Sequence, residues 1–271
     1  MLIHNVNHFT WNNCYVAARC SEAIYPPKDW EDLGLDPDGP IKEIASQLGM
    51  SCEVFDIKNH RAAILYNPSF YIVVYCGTND TADLWTDMNY FQTMLPSTQA
   101  MVHAGVNEAY TELNAVMYPW LAKLVKTGNK FIICGHSLGA GIAVLSLVDV
   151  YQHLGCCYTF GGMRVGNAAL FDYISTPIIR VVHGADVVVH LPFEEMLIGG
   201  YEYEHRQQKL IYFNSDGSCT MGDRPLWRSV KENFSGFIGD AKDKDVIPYF
   251  IEDHAISNYV GHLRRRVENI R

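Results

Sequence analysis

The sequence predicts an α/β fold, a mostly parallel sheet covered by helices on both faces. Three observations carry this expectation. Short apolar runs of strand type alternate with segments of helical spacing through the middle of the chain. No apolar run approaches the ~20 residues that a membrane-spanning helix needs. One strand-like run, Phe131 to Cys134, leads into Gly135-His136-Ser137-Leu138-Gly139 and then straight into a small-residue helical stretch. The 271 residues, 48% hydrophobic and 19% charged, hold ample core material. The whole chain, 1–271, is expected to form one domain.

The elements follow in order. Residues 11–24 read as a helix stopped by Pro26-Pro27, and 28–40 as a polar loop rich in Asp, Gly and Pro. A short helix at 41–48 ends at Gly49. Strands are expected at 53–57, 62–66 and 70–76, with an Asn67-Pro68 turn before the third. Residues 106–125 read as an amphipathic helix interrupted near Pro119. The strand at 130–134 precedes a helix in which Leu138, Ile142, Leu145 and Val148 recur at helical spacing without proline. Strands at 156–160 and 178–182 flank a glycine-rich turn and a helix near 168–174. A hairpin is expected from 202–206 and 209–213, and a last helix at 256–267. Its Arg264-Arg265-Arg266 suits a helix C-terminus. There is no internal repeat and no low-complexity segment.

Composition excludes several functions. A net charge of −9 argues against nucleic acid and against a strongly anionic membrane surface as partners. Eight cysteines without a C-x-x-C spacing do not suit a disulfide scaffold, a zinc site or a thioredoxin-like motif. Several lie in apolar runs, where small buried thiols are common. Reduced thiols, and with them mildly an intracellular site, are expected. Residues 1–11 lack the basic start and apolar core of a secretory signal, which leaves a secreted mature form open.

Chance supplies G-x-S-x-G in a chain of this length roughly one time in ten, so the pattern alone decides little. Its setting says more, because strand, serine, helix is the context of a nucleophile elbow. Serine is a weak nucleophile near neutral pH and needs a base, which in turn needs an orienting carboxylate. In hydrolases built on such sheets the order along the chain is Ser, Asp or Glu, then His. Asp186 lies in the loop leaving the strand at 178–182; the bland alternative is a loop-capping aspartate. Asp172 falls inside a helical stretch, and Asp149 on the helix after the serine. Of eleven histidines, His190, His205, His254 and His262 follow Asp186. His190 is too near Asp186 in sequence, His205 falls in the expected hairpin, and His262 lies mid-helix, where a partly exposed imidazole is the default. His254, on a loop before the last helix, fits best.

With these residues in place the chain resembles the class 3, fungal-type lipases of the α/β-hydrolase fold, from about residue 71 to residue 263. The markers are Gly77-Thr78, Asp83 to Asp87, Val102-His103-Ala104-Gly105, Gly135 to Ala140, Thr159-Phe160-Gly161, Arg164-Val165-Gly166-Asn167, Asp186 with Leu191-Pro192, and Asp253-His254 followed by Tyr259. Cys76, Val106, Met163 and Val189-His190 depart from the usual pattern. The resemblance implies a catalytic set of Ser137, Asp186 and His254. It also implies an oxyanion hole from the Leu138 backbone N–H and from Thr78, with His136 structural. It implies a lid at about 80–95, carrying Leu84, Trp85, Met88 and Phe91 toward the acyl groove; the bland reading of that segment is a packed amphipathic helix. No cofactor and no metal are implied, and Asp80, Asp83 and Asp87 serve solvation. The expected activity is hydrolysis of carboxylic esters, acylglycerols first, at a lipid–water interface. Phospholipase A1, feruloyl-type esterase and acyltransferase activities are the alternatives. A non-catalytic relative that keeps the fold for binding is a further one. Neither acyl preference nor oligomeric state is legible.

Overall fold

A computed structural model describes residues 3, 6–78, 91–150, 154–194, 200–206, 209–214, 216–222 and 252–269. Seven α-helices and ten strands lie among the described residues. Helices α1 (Trp11–Ala23), α2 (Trp30–Leu33) and α3 (Gly39–Gln47) precede β1 (Ser51–Ile57), β2 (His60–Tyr66) and β3 (Phe70–Tyr75). The short strands β4 (Gln92–Met94) and β5 (Met101–His103) lead into α4 (Ala104–Val125). Then come β6 (Lys130–His136), α5 (Leu138–Val150), β7 (Leu154–Phe160), α6 (Ala168–Tyr173) and β8 (Ile178–His183). The last are β9 (Lys209–Phe213), β10 (Cys219–Met221) and α7 (Ile256–Glu268).

Eight strands form one sheet in the order β1-β2-β3-β6-β7-β8-β9-β10. β3, β6, β7, β8 and β9 run parallel, and antiparallel strands flank them. The architecture is an α/β-hydrolase sheet with helices on both faces. One face packs on α4 and α5 through Val106, Leu113, Met117, Ile142 and Leu145, all buried. The other packs on α1, α3 and α7 through Cys14, Val16, Ile41, Ile44, Tyr259 and Leu263. Thr10 caps α1 by accepting from Asn13 N–H at 3.0 Å, and Arg266 near the end of α7 lies 5.0 Å over the Trp11 ring. All eight cysteines are free thiols. No helix among the described residues is long and apolar enough to cross a membrane.

Four details differ from expectation. The 28–40 segment contains α2, closed between Asp29 (φ 55°) and Gly34 (φ 62°). α4 runs unbroken through Pro119. Proline has no N–H to offer the Ala115 carbonyl, but both residues are exposed, so water can replace that donor. The hairpin is formed by β9 and β10, through a turn in which Asn214 N–H donates to Ser218 O and Gly217 takes φ 83°. Both edges of β9 are thereby filled by β8 and β10, so 202–206 does not pair with it and instead bridges Glu204 to Gly166. His262 is buried, stacked 5.1 Å from the Phe213 ring.

Candidate active site

The parallel strands β3, β6, β7 and β8 end on the same side of the sheet, where α/β folds gather function. Each delivers one part of a cluster. After β3 come Cys76-Gly77-Thr78, after β6 Ser137, after β7 Gly161, and after β8 the loop with Asp186.

Ser137 occupies a left-handed backbone conformation, φ 58°, which is uncommon for a residue with a Cβ. Its N–H donates to Phe160 O of β7 at 3.1 Å, and its carbonyl accepts from Ala140 N–H at 3.1 Å. The flanking glycines are required by close backbone approach. A Cβ on Gly135 would stand 2.2 Å from Gly139 O, and one on Gly139 2.3 Å from Tyr75 O. Leu138 opens α5, so its N–H has no intrahelical acceptor and sits at the positive end of the helix.

Asp186 and His254 meet although 68 residues separate them: His254 Nδ1 lies 2.8 Å from Asp186 Oδ2, and both side chains are buried. Tyr259 O–H donates to the same Oδ2, and Val188 N–H donates to Oδ1 at 2.9 Å. Burial pushes the Asp186 carboxyl up, but His254 and the Tyr259 hydrogen bond outweigh it and hold the group below its ordinary value. Asp186 therefore stays a carboxylate. A carboxylate only accepts, so His254 Nδ1 carries the proton. His254 Nε2 is buried and makes no hydrogen bond among the described residues. It is the ring nitrogen free to take a proton.

The residues around this pair are shaped to it. Asp253 Oδ2 accepts from Ala185 N–H at 2.7 Å, which ties the His254 segment to the Asp186 loop. Gly161 takes φ 55°, and a Cβ there would fall 2.6 Å from Asp186 Oδ2 and 3.0 Å from His254 Nδ1. Gly161→Ala is expected to cost about 2–4 kcal/mol from strain plus overpacking. Urea midpoints and turnover of the variant check this, and unchanged values of both would refute the crowding.

Thr78 is half-buried beside the serine turn: a Cβ on its neighbour Gly77 would come 3.2 Å from Ser137 Cβ. Of the expected lid residues, Leu84, Trp85 and Met88 lie outside the described residues. Phe91 is 60% exposed and packs edge-on against Tyr201 at 6.1 Å. The rival acids are engaged elsewhere, Asp149 with Tyr110 and Asn114, and Asp172 with Arg206. Among the rival bases His205 Nε2 lies 2.6 Å from Val189 O, and His190 sits in a 3-10 turn with its pKa lowered by burial to about 4. His103 Nδ1 caps α4 by accepting from Val106 N–H. Gly161, Tyr259 and Tyr25 were not assigned roles by sequence reasoning. The available signals were the Thr159-Phe160-Gly161 and Asp253-His254…Tyr259 markers of the resemblance; nothing in the sequence pointed to Tyr25.

Residues 72–196 match the lipase (class 3) family profile. Over 203 residues the chain is 27% identical to a lipase of Rhizopus niveus, covering 69% of this chain and 50% of the relative. Over 168 residues it is 29% identical to a secreted mono- and diacylglycerol lipase of Malassezia restricta, covering 58% and 51%. The solved structure of lipase II from Rhizopus niveus superposes with a TM-score of 0.64 at 20% identity, over 79% of this chain and 84% of that one. The chain is thus similar to class 3 lipases over its middle segment, and its fold is that of the fungal lipases. It spans about half the length of the curated relatives it matches.

Proposed function

We propose that the chain is a serine ester hydrolase of lipase type, acting as one α/β-hydrolase domain on acylglycerol esters. The observation that carries this is the buried His254–Asp186 hydrogen bond at the same sheet end as the strained Ser137 turn. In this reading Ser137 Oγ attacks the ester carbonyl while His254 Nε2 takes its proton. The oxyanion rests on the Leu138 N–H and on Thr78, donors set in place before the charge develops. His254 then returns the proton to the leaving alcohol and activates a water that frees the acid. Asp186 holds the Nδ1–H tautomer and stabilises the imidazolium. No cofactor enters any step.

The substrate assignment rests on the named activities of relatives, among them the mono- and diacylglycerol lipase of Malassezia restricta. That relative is secreted, so similarity supports secretion and not the intracellular expectation. Exposed Phe91, Met94 and Phe193 supply apolar surface suited to a lipid–water interface.

Two measurements test the reading. A fluorophosphonate probe is expected to label Ser137, and an unlabelled protein would return the fold to a binding role. An activity panel compares short and long p-nitrophenyl esters, emulsified triacylglycerol, phosphatidylcholine and a feruloyl ester. Preference for phosphatidylcholine or the feruloyl ester would replace the acylglycerol assignment. A lid at 80–95 predicts higher specific activity on emulsions than on dispersed monomers of one ester; equal activities would remove the lid.

A further inference from the structure

Tyr25, just after α1, lies outside the family-matched segment, yet it reaches the serine turn. Its hydroxyl is 3.0 Å from His136 Nδ1, and His136 Nε2 is 2.7 Å from the His254 backbone carbonyl. The proton positions follow from chemistry. A carbonyl only accepts, so His136 Nε2 carries the proton and donates to His254 O. In a neutral ring Nδ1 then accepts, so Tyr25 O–H is the donor. The ring is neutral because burial, helped by His254, lowers its pKa to about 3. On the other side, Tyr25 Oη packs directly against Gly77, where a Cβ would stand 2.4 Å from it.

The chain therefore runs in one direction, from the Tyr25 hydroxyl, seated against Gly77, through the His136 ring to the carbonyl of His254. It is anchored from behind. Arg61 Nε donates to Ile24 O at 2.9 Å, and Arg61 O accepts from Cys76 N–H at 2.9 Å. One residue thus fixes the neighbours of both Tyr25 and Gly77. Arg61 is itself held by Asp38 and Asp56 at 2.6 Å each.

We propose that Tyr25 is a positioning residue for hydrolysis, coupling the donor loop at Gly77-Thr78 to the base His254 through the His136 ring. The proposal rests on the reading of Ser137 and His254 as the hydrolytic pair. Both ends of the oxyanion-to-base distance hang on one hydroxyl, so its loss should act on the transition state more than on ground-state binding.

The test uses the full chain and soluble p-nitrophenyl butyrate. Tyr25→Phe is expected to lower kcat by about ten- to a hundredfold with KM within about twofold, since a buried acceptor loses its donor. Fluorophosphonate labelling should slow in parallel. The double variant with His136→Phe should be no slower than His136→Phe alone, because the two side chains act as one unit. A folded Tyr25→Phe that keeps wild-type kcat, or that changes only KM, overturns the proposal. A wild-type protein that neither turns over nor labels removes the hydrolase reading and the proposal with it. Where Tyr25→Phe fails to fold, His136→Gln is the second variant, with the same expected loss of kcat and the same overturning result. Nitrogen-15 histidine spectra of the wild type stand apart from both variants. They should show His136 neutral, protonated on Nε2 only, and a charged ring or an Nδ1–H tautomer overturns the chain.

Discussion

Ser137→Ala is expected to lower kcat for ester hydrolysis by on the order of 10⁵- to 10⁶-fold, the loss typical of a removed serine nucleophile. The fold should survive. Alanine keeps the Cβ that already tolerates φ 58°, and the backbone bonds of the turn, from Ser137 N–H to Phe160 O and from Ala140 N–H to Ser137 O, do not involve the hydroxyl. The unfolding midpoint should therefore stay near that of the wild type while turnover falls to background. Asp186→Asn should follow at about 10⁴-fold, through the tautomer. Three donors converge on Asp186: His254 Nδ1–H and Tyr259 O–H on Oδ2, and Val188 N–H on Oδ1. An asparagine offers one accepting oxygen and one donating nitrogen. If the oxygen faces His254 and Tyr259, the amide N–H₂ confronts Val188 N–H; if it faces Val188, the imidazole must flip its proton to Nε2 and can no longer act as base. Burst and steady-state kinetics on p-nitrophenyl esters read both variants. Turnover by Ser137→Ala above a tenth of wild type, with contaminating hydrolase excluded by labelling, would move the nucleophile elsewhere.

Much of this architecture was legible because its causes are local. β2, β3, β6 and β8 are buried almost throughout, so they read as unbroken apolar runs. The serine turn was legible because two backbone contacts under 2.5 Å forbid a Cβ at Gly135 and Gly139. The pairing of Asp186 with His254 followed from strand order and loop position. What stayed hidden is set by competition across the fold. The hairpin register could not be read from 202–206, since those residues lose the edge of β9 only because β8 and β10 already occupy it. The continuity of α4 through Pro119 depends on which side of the helix faces solvent, and the burial of His262 on where the Phe213 ring ends up. Tyr25 lies 111 residues from His136 in sequence, and nothing near it in the chain signals that contact.

The second large effect is on stability in acid. Among the described residues four histidines are held neutral inside the fold, each chiefly by burial, and His262 on α7 is lowered with them, to about 4. His103 and His190 are lowered to about 4, His136 to about 3, and His205 well below its ordinary value. In the unfolded chain all four would titrate near 6.5. Below that pH the unfolded state binds protons that the folded state refuses, so stability is fully present above about pH 6.5 and drains as pH falls toward 4. Each group contributes a slope approaching ~1.4 kcal/mol per pH unit, and four together ~5. Domains have only about 5–15 kcal/mol to lose, so unfolding is expected near pH 4.5 to 5.5, before most carboxylates titrate. Asp186, whose pKa is lowered in the fold, adds its own loss only further down, below 3.8. At the other end burial raises Cys14, Cys20 and Cys157 well above 9.0, and Cys76 and Cys134 to about 12. The unfolded chain sheds those protons first, so stability should also decline as pH rises past about 9. Urea unfolding at half-unit pH steps measures both limbs. Uptake of at least two protons on unfolding between about pH 6 and 4.5 is expected. A midpoint that stays level to pH 4.5 would mean that these imidazoles take up protons inside the fold, and would remove the neutral His136 on which the Tyr25 hydrogen-bond direction depends.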